Sequence, residues 1–147
     1  MIPNKMVVRE KVQQAFRTSG MRLTRPRQMI IDFMDHNQSH PTARQVFDRI
    51  KSDCPSLSLA TVYNTLQVLV EHGLVHNLGA AFDDEVHYDG ETTPHINLIC
   101  THCSAIKDLP VQMLQDISKQ VDEKTGFKIT GSRIVYYGRC NSCQTKF

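Results

Sequence analysis

The 147-residue chain contains no tryptophan and no run of about 18 apolar residues, the length a helix needs to cross a bilayer. A membrane span is therefore not expected. Met1 to Glu10 has no apolar core followed by small residues, so no secretory signal is read there and a cytoplasmic protein is expected. No H-E-x-x-H string and no nucleophile with an evident base partner occurs, which weighs against a small metalloenzyme such as a hydrolase or peroxide-degrading protein. No small organic substrate is expected. Internal repeats and low-complexity segments are also lacking.

What is present fits a soluble globular chain of one ordinary domain or two small ones, with 40% hydrophobic and 22% charged residues. The net charge is only +2, but it is unevenly spread. Residues 1–82 carry ten Lys/Arg against six Asp/Glu, and residues 83–147 carry seven against nine. The front half suits a polyanion and the back half suits cations.

Four helical patterns fill the front half. The first runs from about Lys5 to Ser19, with Val8, Val12, Ala15 and Phe16 on one face and Gly20 as a left-handed stop. The second starts at Thr24 as N-cap with Pro26 in its first turn, and buries Met29, Ile30, Phe33 and Met34. Thr42 and Gln45 have the spacing of a capping box for the third, which packs Val46, Phe47 and Ile50. The fourth runs from Ser58 to Gly73. Its apolar stripe is Leu59, Val62, Leu66, Leu69 and Val70, and Ala60, Tyr63, Asn64 and Gln67 lie opposite. That opposite face is polar without being highly charged. Amides and a phenol there suit the reading of base edges; an ordinary solvated face explains the pattern equally well. Leu74 to Leu78 and Glu85 to Tyr88 then read as two strands joined around Gly79 to Asp84, the plan of a winged helix-turn-helix.

In the back half, His95 to Cys100 and Ala105 to Leu109 read as strands. Pro110 to about Thr125 reads as a helix with Val111, Leu114, Ile117 and Val121 on one face, stopped by Gly126. Phe127 to Ile129 and Arg133 to Tyr137 read as a last strand pair. The fold expected is α+β: a winged-helix domain over residues 1–84, a joining segment over 85–92, and a small α/β module over 93–147. A module of that size often needs a metal or a partner subunit to be stable.

Cys100/Cys103 and Cys140/Cys143 are two C-x-x-C pairs. Two intervening residues let both sulfurs of a pair reach one ion at about 2.3 Å, and four thiolates close a tetrahedral shell, so a structural Zn2+ site is expected. His102 is then a bystander, and Cys54 a small buried hydrophobe. His40, Asp89, His95, Asn97 and Asp108 offer donors suited to Fe2+, Mn2+ or Zn2+, with His95 and Asn97 alternating on one strand face. Spacing alone does not unite them, and on spacing alone each reads more readily as a solvated polar residue.

Several strings resemble the ferric-uptake-regulator (Fur) superfamily over nearly the whole chain. Gly20 to Arg27 resembles the segment opening the second helix, His40-Pro41-Thr42-Ala43 its "HPTA" segment, and Ser58 to Leu66 its recognition helix. His95 to Cys103 and Tyr137 to Cys140 complete the pattern. The resemblance implies a homodimeric winged-helix repressor on double-stranded DNA, with residues 1–84 as DNA-binding domain, 85–92 as a hinge with a regulatory Fe2+ or Mn2+ site, and 93–147 as dimerisation domain with a structural zinc. The implied regulatory ligands are His40, Asp89, His95, Asn97 and Asp108. Asp89, where iron-responsive members usually have Glu, and Asn64, where they usually have Arg, favour the peroxide-sensing (PerR) branch. In that branch His40 and His95 are the imidazoles oxidised by hydrogen peroxide. An iron- or zinc-responsive uptake repressor of the same superfamily is the alternative.

Asn97 departs from the pattern, which has His there; a weaker, harder amide donor, a water or His87 would complete the shell. Pro94, Gly131 and Ser132 stand where other members carry further donors, so a third metal site is not expected. For DNA, Tyr63 and Asn64 are the candidates for base contact, with Thr61 and Gln67 at edges or phosphates. Arg22 resembles a minor-groove residue, and Arg25 and Arg27 suit phosphates. The operator expected is palindromic and A/T-rich.

Overall fold

The computed structural model describes residues 5–37, 39–80, 83–93, 95–110, 113–129 and 132–145. The chain divides into two compact units, Met1–Ala80 with Glu85–Thr92, and Ala81–Asp84 with Thr93–Phe147. No helix among the described residues is long and apolar enough to cross a membrane.

The first unit holds α1 (Lys5–Thr18), α2 (Arg25–His36), α3 (Ala43–Ile50) and α4 (Leu59–Glu71), followed by the antiparallel hairpin of β1 (His76–Ala80) and β2 (Val86–Asp89). This is the winged helix-turn-helix plan. Phe16, Ile30, Val46, Leu57, Val62, Leu66 and Leu69 form its centre, each at 1% exposure or less apart from Leu69 at 2%. Side chains of this kind each contribute about 1.5–3 kcal/mol on burial. Gly20, at φ +68°, ends α1 in a Schellman arrangement: Met21 N–H bonds Phe16 O at 2.9 Å and Gly20 N–H bonds Arg17 O at 3.0 Å. Thr24 takes the extended N-cap backbone of α2, with Pro26 in the first turn, but its side chain makes no capping bond. The capping box of α3 is complete: Thr42 Oγ1 accepts from Gln45 N–H at 3.1 Å, and Gln45 Oε1 accepts from Thr42 N–H at 2.9 Å.

Two details differ from the sequence pattern. The buried stripe of α4 is Val62, Thr65, Leu66, Val68 and Leu69, while Leu59 and Val70 are half-buried. Thr65 can be buried because its hydroxyl donates to Thr61 O at 2.6 Å, within the helix itself. The first strand starts at His76, not Leu74. The amides of Leu74 and Val75 both turn back to Leu69 O, at 2.8 and 3.3 Å, and so complete the helix end before the strand can begin.

The second unit is β3 (His95–Cys100), β4 (Ile106–Pro110), α5 (Met113–Thr125), β5 (Ile134–Gly138) and the short α6 (Asn141–Gln144). Its sheet order is β4-β3-β5, with β3 antiparallel to β4 and parallel to β5. Pro110 does not open the helix as expected. It ends β4 opposite His95, a strand terminus that tolerates a residue without an N–H; Val111 lies outside the described residues. Nor do Phe127 to Ile129 form a strand. Their amides are taken by side chains, Phe127 N–H by Thr125 Oγ1 at 3.3 Å and Ile129 N–H by Asp122 Oδ1 at 2.8 Å. β5 pairs instead with β3 at the centre of the sheet.

Candidate metal donors and nucleic-acid face

β3 ends at Cys100, where the chain turns through 101–104. Cys100 N–H bonds Ala105 O at 2.9 Å, Ser104 N–H bonds Cys100 O at 3.0 Å, and Thr101 N–H bonds Gly138 O at 2.8 Å. The last bond ties the first C-x-x-C to the end of β5, which leads into Cys140 and Cys143. The four sulfurs lie within 4.8 Å of one another, and Cys103 and Cys140 are 3.9 Å apart. Bonds of about 2.3 Å in a tetrahedron place sulfurs about 3.8 Å apart, so the donor set fits one Zn2+. Backbone amides of Cys140, Cys103 and His102 around the Cys100 sulfur lower its pKa to about 5. Burial pushes Cys143 up to about 12. His102 is exposed and outside this cluster. Cys54 is buried in the first unit, 3.6 Å from the Ser56 hydroxyl.

The other sequence-derived donors fall in both units. In the first, His40 and Asp89 are brought together by pairing between β2 and the segment entering α3. Tyr88 N–H bonds Pro41 O at 2.9 Å, and Thr42 bridges His87. His40 and Asp89 are 3% and 4% exposed, and His40 Nε2 lies 3.9 Å from Asp89 Oδ2. That is beyond a hydrogen bond but suits two donors on one ion, since donors about 2.1 Å from a metal lie about 3–4 Å apart. Glu91 N–H bonds Asp89 Oδ1 at 2.8 Å and orients the carboxylate. His40 itself sits at φ +53°, a conformation that costs a non-glycine residue about 1–3 kcal/mol. The carbonyl oxygen of His40 accepts from His87 Nδ1 at 2.6 Å. His87, considered from sequence as a substitute donor, therefore has Nδ1 committed to positioning His40. The signal for this was its place on β2 two residues before Asp89.

In the second unit, His95 and Asp108 come from paired strands, and Asn97 lies directly opposite Asp108 in the register. His95 Nε2 is 3.5 Å from Asp108 Oδ1. Asn97, 1% exposed, places Nδ2 2.9 Å from Asp108 Oδ1 and 3.1 Å from His95 Nε2. His95 Nδ1 lies 2.7 Å from Thr93 O, a contact that sequence alone gave no sign of. Pro94 and Gly131 lie outside the described residues.

Across α4 from the core, Ala60, Tyr63, Asn64 and Gln67 are all exposed, Tyr63 at 49%. Ser58 Oγ accepts from Thr61 N–H at 3.1 Å and fixes the helix start; Thr61 is half-buried there. Gln67 donates to Glu71 at 2.8 Å. Arg22 and Arg25 are exposed, whereas Arg27 is half-buried and its Nη1 donates to Arg22 O. Arg27 thus braces the Arg22 turn, a structural task the sequence did not reveal. Burial, and the neighbouring Tyr63, raise the Tyr88 pKa above that of an ordinary phenol.

A winged helix carrying an exposed polar face on α4, joined in one chain to a module with a four-cysteine cluster, defines a DNA-binding regulator of the metal-dependent kind. Residues 18–137 match the model of the Ferric uptake regulator family, and the chain belongs to that family. A "Peroxide-responsive repressor PerR" of Staphylococcus saprophyticus is 33% identical over 132 residues, covering 90% of this chain and 88% of that protein. The Fur structure of Helicobacter pylori superposes with a TM-score of 0.78 over 99% of this chain and 97% of that one; at 16% identity it speaks to the fold alone. A GAS PerR structure, described as PerR-Zn-Zn, is 36% identical with a TM-score of 0.50 and covers 92% of this chain and 87% of its own. As a member of this family the chain is a transcription regulator and not an enzyme.

Proposed function

We propose that this protein is a peroxide-sensing repressor. His40 and Asp89, together with His95, Asn97 and Asp108, serve as donors for a regulatory Fe2+ or Mn2+, and the four cysteines hold Zn2+. The observation that carries the reading is the pairing of imidazole and carboxylate in each unit: buried His40 with buried Asp89, and half-buried His95 with half-buried Asp108. Such pairs suit a first-row divalent ion. The resemblance to PerR proteins supports peroxide as the signal. These donor residues would hold Fe2+, which would activate hydrogen peroxide so that it gives one oxygen to a ligating imidazole and leaves as water, and His40 and His95 are the imidazoles assigned that fate. Losing either as a donor weakens the hold on the ion.

Operator recognition falls to α4. Tyr63 and Asn64 meet base edges, Thr61 and Gln67 support them, Arg22 enters the minor groove, and Arg25 binds phosphate. Arg27 contributes through the Arg22 turn and its remaining charge. Homodimerisation is assigned to the second unit, where Ile117 and Val121 on α5 and Tyr136 and Tyr137 on β5 are exposed. Such a dimer reads a palindromic, A/T-rich operator, and the regulatory metal controls its binding there.

Operator binding by the metal-free, Mn2+-loaded and Fe2+-loaded protein tests this, each before and after hydrogen peroxide. Metal should be required for tight binding, and peroxide should release only the Fe2+ form. Equal binding with and without metal would refute the switch. Asn97, a poorer donor than imidazole, keeps open the second reading, an iron- or zinc-responsive uptake repressor; there the Fe2+ form would stay on the operator after peroxide.

A further inference from the structure

Asn97 is a primary amide buried between an imidazole and a carboxylate, and its neighbours fix which way it faces. The Thr93 carbonyl can only accept, so His95 Nδ1 carries a ring proton, and in the neutral imidazole Nε2 then presents a lone pair. Asp108 Oδ1 is also an acceptor. Both lie within hydrogen-bond distance of Asn97 Nδ2, at 3.1 and 2.9 Å. The reversed amide would set Oδ1 against two acceptors, so the NH2 group must be the edge that meets them. Its two protons serve one acceptor each.

The lone pairs that Asn97 engages are those an ion would take from His95 and Asp108. The NH2 group supplies the positive edge that holds these two donors 3.5 Å apart. We infer that Asn97 is a two-state amide. Its NH2 bridges His95 and Asp108 in the metal-free protein, and on metal binding the side chain turns about Cβ–Cγ to present Oδ1 as a donor. This rests on the reading of His95 and Asp108 as metal donors.

Two consequences follow. Binding must break two buried hydrogen bonds, so Asn97 lowers affinity relative to an imidazole in its place. An amide oxygen is also a hard donor, so Asn97 biases the site towards Mn2+ and away from Zn2+, which imidazole suits better.

The test uses the full chain with its cysteine site filled by zinc. The Asn97 side-chain amide signals, assigned by their loss in Asn97→His, are followed by 15N NMR while a second equivalent of diamagnetic Zn2+ is added. The expected result is a shift of both Asn97 amide protons together with the His95 Nε2 signal. In parallel, chelator competition gives Zn2+ and Mn2+ affinities for wild type and Asn97→His. The Zn2+ to Mn2+ preference should rise roughly tenfold in the variant, the scale on which groups around a metal site tune its affinity. If His95 shifts while the Asn97 amide stays in place, the inference fails and the metal-donor reading survives. An unchanged preference in Asn97→His also overturns it. If neither form binds a second ion, the inference and the donor reading fall together. The NMR measurement on wild type does not depend on how the variant folds.

Discussion

His87 Nδ1 donates to the main-chain oxygen of His40 at 2.6 Å, joining residues 47 positions apart within the first unit. The bond holds the His40 backbone in its left-handed conformation beside Pro41 and so aims the imidazole at Asp89. Replacing His87 by Leu leaves a buried carbonyl without this donor. The expected loss is about 1–3 kcal/mol, measured by urea denaturation. Regulatory-metal affinity should fall as well, because His40 would no longer be held. Unchanged stability and affinity would make His87 a bystander.

The recognition face and the arginines should separate by phenotype. Asn64→Ala is expected to relax preference at one base position at a cost of about 1–3 kcal/mol on the best operator. Arg25→Ala should weaken all sequences alike and reduce the slope of log affinity against log salt by about 1. Arg27→Ala should lower stability as well as binding, since its Nη1 supports the Arg22 carbonyl. Operator titrations at several salt concentrations, with a thermal melt of each variant, separate the three.

Removing zinc should unfold the second unit selectively. The cysteine cluster ties the end of β3 to the segment after β5, and among the described residues the module otherwise rests on a three-stranded sheet and one long helix. In Cys143→Ser, or after strong chelation, amide exchange protection should be lost along β3 to β5 while α1 to α4 remain protected. Retained protection in the second unit would make the cluster dispensable.

Gly90 approaches α2 so closely that a Cβ there would run into the Met34 carbonyl oxygen. Backbone cannot move aside as a flexible side chain can. Gly90→Ala is expected to cost about 1–3 kcal/mol and to disturb Asp89 next to it, seen as a lower melting temperature and weaker metal binding.

Much of this was legible in the sequence because it rests on local rules. The capping box of Thr42 and Gln45, the Gly20 stop, the exposed Tyr63 and Asn64, and the C-x-x-C pairs all follow from spacing along one element. What was not legible depends on partners distant in sequence. Pro110 has good credentials for opening a helix, yet pairing with His95 keeps it in a strand. Phe127 to Ile129 has strand composition, but side chains of α5 take its amides. The burial of Thr65 depends on a bond back to its own helix. At the candidate donors, residue types announced the chemistry, whereas the tasks of His87, Thr93 and Arg27 needed the fold. The facing of the Asn97 amide needed both of its acceptors to be located.

The most direct test of the peroxide-sensing account is operator binding by the Fe2+-loaded protein before and after stoichiometric hydrogen peroxide, with mass spectrometry of the peptides containing His40 and His95. The account predicts loss of binding with a gain of one oxygen on either peptide. Unchanged binding with both histidines unmodified would contradict it and leave a metal-uptake repressor in its place.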